Sequence, residues 1–131
     1  IKKANGIRPN GIIWIHGSHD GYERFGARYS RLVELEEKIN GEVSLMILDE
    51  VICKKSMWWR QFWHLAPNQS SELFNKSLRD LKLNYDFNKE WIDTYYSFQF
   101  GRRIRRKSLK LSGKINPGVH KFKSIITIPN D

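Results

Sequence analysis

The sequence predicts an all-β protein, an antiparallel β-sandwich of about eight strands. Short runs of alternating apolar and polar residues recur along the chain, separated by clusters of Gly, Asn, Pro and Lys. Apolar residues spaced three and four apart, as a helix requires, are nowhere sustained. Aromatic residues make up 13% of the chain. Sheets this rich in aromatic rings need a second layer to cover them, and this favours a sandwich.

The first half of the chain contains three predicted strands, at residues 11–16, 31–38 and 42–52. Gly17 ends the first of them. Asn40-Gly41 lies between the second and the third, and this pair indicates a hairpin because both residues tolerate positive φ. The third strand is apolar on both faces, so we expect it near the centre of a sheet.

Residues 57–68 are the most aromatic part of the chain, with three of the five tryptophans within six residues. Side chains alternate along a strand. One face would carry Met57, Trp59, Gln61, Trp63 and Leu65, and the other Trp58, Arg60, Phe62 and His64. The pattern predicts a central strand with its first face in the core. A buried aromatic sheet is favoured over a sugar-stacking or anion-binding face.

The second half of the chain is less regular at its start. Residues 70–80 are compatible with a short helix or with a strand and a loop. The alternation in residues 81–87 predicts a half-buried strand, which Asn88-Lys89 turns back into a strand at 91–100. Leu109 and Leu111 belong to a short strand, and residues 119–128 form the last one.

The length of 131 residues fits one domain, residues 1–131, with a single hydrophobic core. The chain begins at Ile1, and we expect it to be the C-terminal fragment of a larger protein. No stretch fits a signal peptide or a membrane span. The net charge of +9 makes polyanions the candidate partners, namely nucleic acid, an acidic membrane surface or acidic polysaccharide, and the alternative is a solvated basic surface without a specific partner.

The segment from His16 to Tyr22 holds two histidines and a carboxylate, which are possible zinc ligands. His16 and His19 have opposite parity, however, and would point apart on a strand. The glycines in this segment favour a tight turn in which Asp20 bonds to its own backbone. We therefore expect a turn rather than a metal site.

Two further groups could bind anions. Residues 102–107 hold five cations, and guanidinium groups bind carboxylate, sulfate and phosphate. A solvated loop or edge strand is the favoured interpretation of this run. The second group is Arg60 and His64, with Arg31 from a neighbouring strand. Here a hydrogen-bonded histidine is favoured over a general base, and no known catalytic motif is present.

Several short motifs occur in a recognisable order. They are Gly17-Ser18-His19-Asp20-Gly21-Tyr22, Arg31 with its alternating strand, Leu48-Asp49-Glu50-Val51, and Phe62-Trp63-His64-Leu65-Ala66-Pro67. In this order they resemble the C-terminal part of heparinase II/III-like proteins, and the closing segments around Phe100-Gly101 and 125–128 do so as well. The histidine that this family places before the arginines is replaced here by Tyr29, which puts any role at that position in doubt.

The resemblance implies a bacterial polysaccharide lyase with an N-terminal helical domain and a C-terminal β-sandwich. Such enzymes cleave uronic-acid-containing acidic polysaccharides by β-elimination, in the periplasm or outside the cell. The family's catalytic residues and zinc ligands match no position of this chain, because His16 and His19 are spaced His-x-x-His where the family has His-x-His. The resemblance thus implies zinc for the parent protein alone and an isolated fragment without activity. The candidate substrate-binding residues are His19, Asp20, Tyr22, Arg31, Arg60, His64, Arg102, Arg103 and Arg105.

Two alternatives remain open. A stand-alone carbohydrate-binding module would use Trp58, Trp91 or Tyr95 as stacking platforms. A nucleic-acid-binding domain would use residues 102–107 with neighbouring aromatic rings. The nucleic-acid alternative is less favoured because the sequence carries neither an RNP-like motif nor a zinc motif.

Overall fold

The computed structural model describes residues 2–64, 82–83 and 87–128. Within these ranges the chain consists of nine β-strands and one 3-10 turn, Glu23–Phe25. The strands are β1 Lys2–Ile7, β2 Ile13–His19, β3 Ala27–Glu37, β4 Val43–Cys53, β5 Met57–His64, β6 Lys82–Leu83, β7 Asn88–Gln99, β8 Arg102–Ile115 and β9 Gly118–Ile128. The described residues include no helix long and apolar enough to cross a membrane.

The strands form two antiparallel sheets, which confirms the predicted fold class. The larger sheet has the order β1-β2-β3-β4-β9-β6, and the smaller sheet has the order β5-β8-β7. Both sheets contribute to the hydrophobic core. Val51 and Phe122 come from the larger sheet and Leu109 and Leu111 from the smaller one. Trp59 of β5 stacks on Phe122 with a ring-centroid distance of 5.2 Å, so aromatic packing joins the two layers.

The predicted Asn40-Gly41 hairpin is confirmed and joins β3 to β4. Gly41 has a φ of 83°, while Asn40 keeps a negative φ and accepts a hydrogen bond from the Glu42 amide (3.0 Å). The same dipeptide, Asn10-Gly11, closes the hairpin between β1 and β2, a hairpin that the prediction lacked. In each of these two turns, therefore, the glycine needs a positive φ and the asparagine does not.

Strand β4 lies between β3 and β9, which confirms its predicted place near the centre of a sheet. Side chains along β4 alternate between its inner and outer faces. The buried side chains on the inner face are Ile47, Asp49, Val51 and Cys53. Three of these are the apolar side chains that such a position favours. Asp49 is the exception, and the functional site is built around it.

The aromatic strand β5 is an edge strand in the described part of the smaller sheet, so the prediction of a central strand was wrong. Its partition of faces is confirmed for residues 57–64, because Trp59 and Trp63 pack against the core while Trp58 and Phe62 are exposed. Residues 54–56 connect β4 to a strand of the other sheet, so β5 pairs with β8 instead of with β4.

Three predicted boundaries were also wrong. Gly17 lies inside β2, where pairing with β1 and β3 on both sides continues the strand. Asn88 and Lys89 begin β7 and pair with β8 instead of forming a turn. The short strand at Leu109 and Leu111 is a 14-residue strand, because its charged first half is paired with β7. The predictions for Leu65, residues 70–80 and Tyr85 fall outside the described residues.

Candidate functional site

The site begins with Asp49, whose side chain is completely buried. The hairpin register places Arg31 of β3 directly opposite it. Arg31 donates to the carboxylate through Nε (2.6 Å) and Nη2 (3.0 Å), and the Tyr29 hydroxyl donates at 2.6 Å. A fourth hydrogen bond comes from Gln61 Nε2 of the other sheet, at 2.7 Å. This polar cluster therefore links the two sheets.

These bonds decide the protonation of the cluster. A buried carboxylate is tolerated when a cation and several donors satisfy it, and a bidentate guanidinium suits this well. Burial, with the hydrogen bond to Asp49, raises the pKa of Tyr29 far above its usual range. The hydrogen bond to Asp49 likewise raises the pKa of Arg31. Tyr29 is thus a fixed hydrogen-bond donor and is unsuited to act as a base at neutral pH.

A cleft of about 560 Å³ opens in front of this cluster, between the β5 edge and strand β3. Its volume falls within the range of small-molecule sites. Three arginines line it, Arg28, Arg31 and Arg60, together with His19. Six aromatic rings complete the walls, those of Tyr22, Phe25, Tyr29, Trp58, Trp59 and Phe62. The described lining residues include no carboxylate, so the cleft surface is basic and aromatic.

Aromatic contacts run from the mouth of the cleft to the core. Tyr22 contacts His19 (5.1 Å between ring centroids), and His19 contacts Tyr29 at 5.2 Å. Tyr29 contacts Trp59 at 5.6 Å, which is itself stacked on Phe122. The 3-10 turn holds Tyr22, whose carbonyl accepts bonds from two amides of the following residues. Tyr22 is 49% exposed and Trp58 63% exposed, so each presents a ring to solvent on a rigid base.

The three arginines differ in how their charge is held. Arg31 uses Nε and Nη2 for Asp49, which leaves Nη1 free to donate to a ligand. Arg28 pairs with Glu23 at 2.5 Å. Arg60 forms no ion pair with any described residue. The cleft thus offers one oriented guanidinium and one unpaired cation beside stacking rings, a combination suited to an acidic sugar.

Four of the predicted site residues come together in this cleft, namely His19, Tyr22, Arg31 and Arg60. Asp20 follows β2 and lines an adjoining depression. The remaining candidates, Arg102, Arg103, Arg105 and His64, do not line the cleft. Arg31 faces the interior on the larger sheet, so it does not share a face with Arg60 and His64 as predicted.

The segment around His16 differs in part from expectation. His16 and His19 lie on opposite faces of β2, as their parity predicts. The turn comes later than expected, where the Glu23 amide donates to the Asp20 carbonyl (2.9 Å). In the part of the chain that the structure describes, no three potential ligands come together as a metal site. These residues do not fit a zinc centre.

His64 takes part in a hydrogen-bond chain on the outer face of the smaller sheet. Its Nδ1 lies 2.6 Å from the Ser108 hydroxyl, which lies 2.6 Å from the Thr94 hydroxyl. Arg106 Nε donates to Thr94 at 3.2 Å. Partial burial lowers the pKa of His64, and the charge of Arg106 lowers it further. These contacts agree with the hydrogen-bonded histidine favoured from the sequence.

The prediction missed Asp49, Tyr29, Gln61 and Trp59 as parts of the site. One signal could have found the first of them. Asp49 is the lone carboxylate on a strand face otherwise formed by Ile47 and Val51. Counting outward from the Asn40-Gly41 turn pairs it with Arg31. A buried ion pair was therefore deducible from the hairpin, whereas the contact with Gln61 requires the packing of the sheets.

Comparison with known proteins identifies the fold. No protein-family model and no curated protein matches the sequence. Two solved structures match: the crystal structure of heparan sulfate lyase HepC from Pedobacter heparinus (TM-score 0.67, 16% identity) and that of a HepC mutant (TM-score 0.66, 15% identity). Each match covers 95% of this chain and 21% of the other. The chain therefore has the fold of a part of a heparan sulfate lyase, and it spans about one fifth of the length of that enzyme.

Proposed function

We propose that the chain is the C-terminal β-sandwich domain of a heparinase II/III-like polysaccharide lyase. In this proposal the domain binds a short stretch of uronic-acid-containing polysaccharide in the cleft. The shared fold and the order of the sequence motifs support this assignment. The parent protein's helical domain would pack against this one and supply the remaining substrate contacts.

The observation that carries the proposal is the composition of the cleft. Sugar rings present apolar faces that can pack against aromatic side chains, and Tyr22 and Trp58 offer such surfaces at its mouth. Guanidinium groups bind carboxylate and sulfate through paired hydrogen bonds. Arg31 is held in place by Asp49 before any ligand arrives, so it loses little freedom on binding. An acidic oligosaccharide matches both features.

The proposed reaction of the parent is β-elimination. A cation neutralises the uronate carboxylate, a base removes the C5 proton, and an acid protonates the leaving oxygen. Arg31 and Arg60 are suited to binding the carboxylate or a neighbouring sulfate. Because Tyr29 is fixed as a donor to Asp49, we assign no proton transfer to it or to any other described residue. The proton-transferring groups, and any zinc, would belong to other parts of the parent.

A titration of tryptophan fluorescence with uronate-containing tetrasaccharides tests the proposed binding. Tyr22→Ala should weaken binding about fivefold, the expected value of one stacking contact. Tyr95→Ala is the matched control, because Tyr95 is 51% exposed but lies outside the cleft. Equal losses in both variants would contradict the cleft assignment. Equal affinity for neutral and acidic tetrasaccharides would instead support a stand-alone carbohydrate-binding module.

A lyase assay tests where the chemistry lies. The chain alone, incubated with heparan sulfate, alginate and hyaluronan, should release no unsaturated uronate product detectable by absorbance. Robust turnover of any of these polymers would show that this chain includes the catalytic groups, and would contradict the assignment of the chemistry to other parts of the parent.

A further inference from the structure

The outer face of the smaller sheet carries a row of cations. Side chains alternate along β8, so Arg102, Arg106, Lys110 and Lys114 all lie on this face. They recur every fourth residue, at intervals of roughly 13 Å along the strand. Ser108 and Ser112 lie between the last three, and Ser108 is completely buried. His64 and Thr94 cover Ser108, so small and polar side chains separate the cations along the strand.

Strand β5 adds to this row from the side. Its register places Arg60 opposite Ser112, so a fifth cation stands level with the gap between Lys110 and Lys114. Phe62 lies opposite Lys110, and Trp58 lies opposite Lys114. We call the five cations Arg60, Arg102, Arg106, Lys110 and Lys114 the β8 stripe.

The charges of the β8 stripe are not matched by carboxylates. In the ranges that the structure describes, none of the five forms an ion pair, and the one carboxylate on this face is Glu90, which lies directly opposite Lys110 on β7. On the opposite face of the same strand, by contrast, Lys107 pairs with Asp93 at 2.6 Å. The outer face of the larger sheet also has acidic partners, such as Glu50 beside Lys121 (3.8 Å). Along the described strands β8 and β5 the stripe side therefore carries five cations without an ion pair, while the opposite face of β8 carries two, Arg103 and Arg105.

The β8 stripe is continuous with the cleft. Because β5 is an edge strand in the described structure, its outer side chains can also border the cleft mouth. Trp58, Arg60 and Phe62 do so. A chain leaving the cleft over this edge would pass Trp58 and Arg60 and reach Lys114 and Lys110 next. The cleft and the stripe thus form one path for an extended ligand.

We propose that the β8 stripe is a second binding surface, which holds a long acidic polysaccharide where it leaves the cleft. The inference rests on the proposed function for the class of sugar. The spacing of the cations also favours a polysaccharide over nucleic acid. A nucleic acid strand carries a phosphate about every 3.4 Å, far more densely than the stripe carries cations. A polymer with a carboxylate on every second sugar carries its charges farther apart.

The test compares a hyaluronan dodecasaccharide, which carries one carboxylate on every second sugar, with a disaccharide of the same polymer, by calorimetry on the whole chain. Lys110→Gln/Lys114→Gln should weaken dodecasaccharide binding about tenfold and leave disaccharide binding unchanged. Arg103→Gln/Arg105→Gln is the matched control, with the same loss of charge on the opposite face of β8. It should weaken dodecasaccharide binding less than twofold. Lys110→Arg/Lys114→Arg should retain full affinity, which separates lost charge from lost folding.

The outcomes separate the stripe from the cleft. Equal losses in the two Gln variants would show an effect of net charge and overturn the stripe. So would equal affinity for both sugar lengths. Single-stranded DNA of matched charge that bound as tightly, with the same sensitivity at Lys110 and Lys114, would assign the surface to nucleic acid. If the disaccharide fails to bind while the stripe behaves as expected, the cleft assignment fails and the stripe remains.

Discussion

The cleft and the β8 stripe are both basic, but they hold their charge in different ways. In the cleft, Arg31 is locked against the buried carboxylate of Asp49, so its direction is fixed and its charge is largely neutralised. On the stripe, Lys110 and Lys114 have no ionic partner in the described structure. A paired guanidinium orients a ligand at short range, while unpaired cations attract it from a distance and are screened by salt. The cleft is therefore suited to positioning a bound sugar, and the β8 stripe to attracting a distant one.

The largest expected effect is a loss of stability when Asp49, the buried carboxylate that holds Arg31, is removed. Asp49→Ala leaves Arg31, Tyr29 and Gln61 without their shared acceptor in a buried place. Breaking a fully buried ion pair costs about 3–5 kcal/mol of unfolding free energy, and we expect about 2–3 kcal/mol here because the Arg31 side chain is 41% exposed. Urea unfolding measures this loss. Asp93→Ala, which removes an exposed pair with Lys107, is the control and should change stability little. Comparable losses in both variants would contradict the structural role of Asp49.

The next effect concerns the packing behind the cleft wall. A Cβ added at Gly113 would lie 2.6 Å from a ring carbon of the buried Phe87. Gly113→Ala should therefore destabilise the chain by about 1–3 kcal/mol, as overpacked cores do. Gly17→Ala is the matched strand control, because the nearest atom to its added Cβ is 4.0 Å away. A similar urea unfolding midpoint for the two variants would contradict the prediction, because it would show that the Phe87 ring can move aside without loss of stability.

Salt should distinguish the two surfaces directly. Between about 50 and 200 mM salt, affinity for a long acidic polysaccharide should fall about tenfold, because bound cations release counterions from the polymer. Affinity for a disaccharide confined to the cleft should fall less, since Arg60 is the one cleft arginine without an ion pair in the described structure, while Arg31 and Arg28 are paired with Asp49 and Glu23. Calorimetry over a salt series measures both slopes. Parallel slopes would remove the distinction between the two surfaces.

The smallest expected effect is a pH dependence at the outer face. The pKa of His64 is lowered in the folded state, so the unfolded state binds a proton more readily. Stability should therefore fall as pH drops below the unfolded value of about 6.5. His64→Gln should reduce the difference in unfolding free energy between pH 7.5 and 5.5, while His16, His19 and His120 remain in both proteins. An unchanged difference would contradict the assigned direction.

Much of the fold was predictable because alternation and Asn-Gly turns are local signals. The face assignment of Trp58 and Trp59 is confirmed for this reason. The position of β5 at an edge was not predictable in the same way, since the alternation of apolar and polar residues does not show which strands pair. The charged start of β8 resembled a loop because its stability as a strand comes from pairing with β7.

The site was predictable to a smaller extent. His19, Tyr22, Arg31 and Arg60 were proposed from residue type, and the structure brings these four to one cleft. Asp49 lay within reach of the hairpin register but was taken as part of a motif. Gln61 could not be predicted, because its bond to Asp49 depends on how one sheet sits over the other.

The central claim is that the cleft binds an acidic sugar. NMR chemical-shift mapping with a short uronate-containing oligosaccharide tests it most directly. The claim predicts saturable shifts at Tyr22, at the Arg31 side chain and at the Trp58 indole, with Tyr95 and Arg103 unaffected. Shifts confined to the β7–β8 hairpin, or the absence of any shift at millimolar sugar, would contradict it.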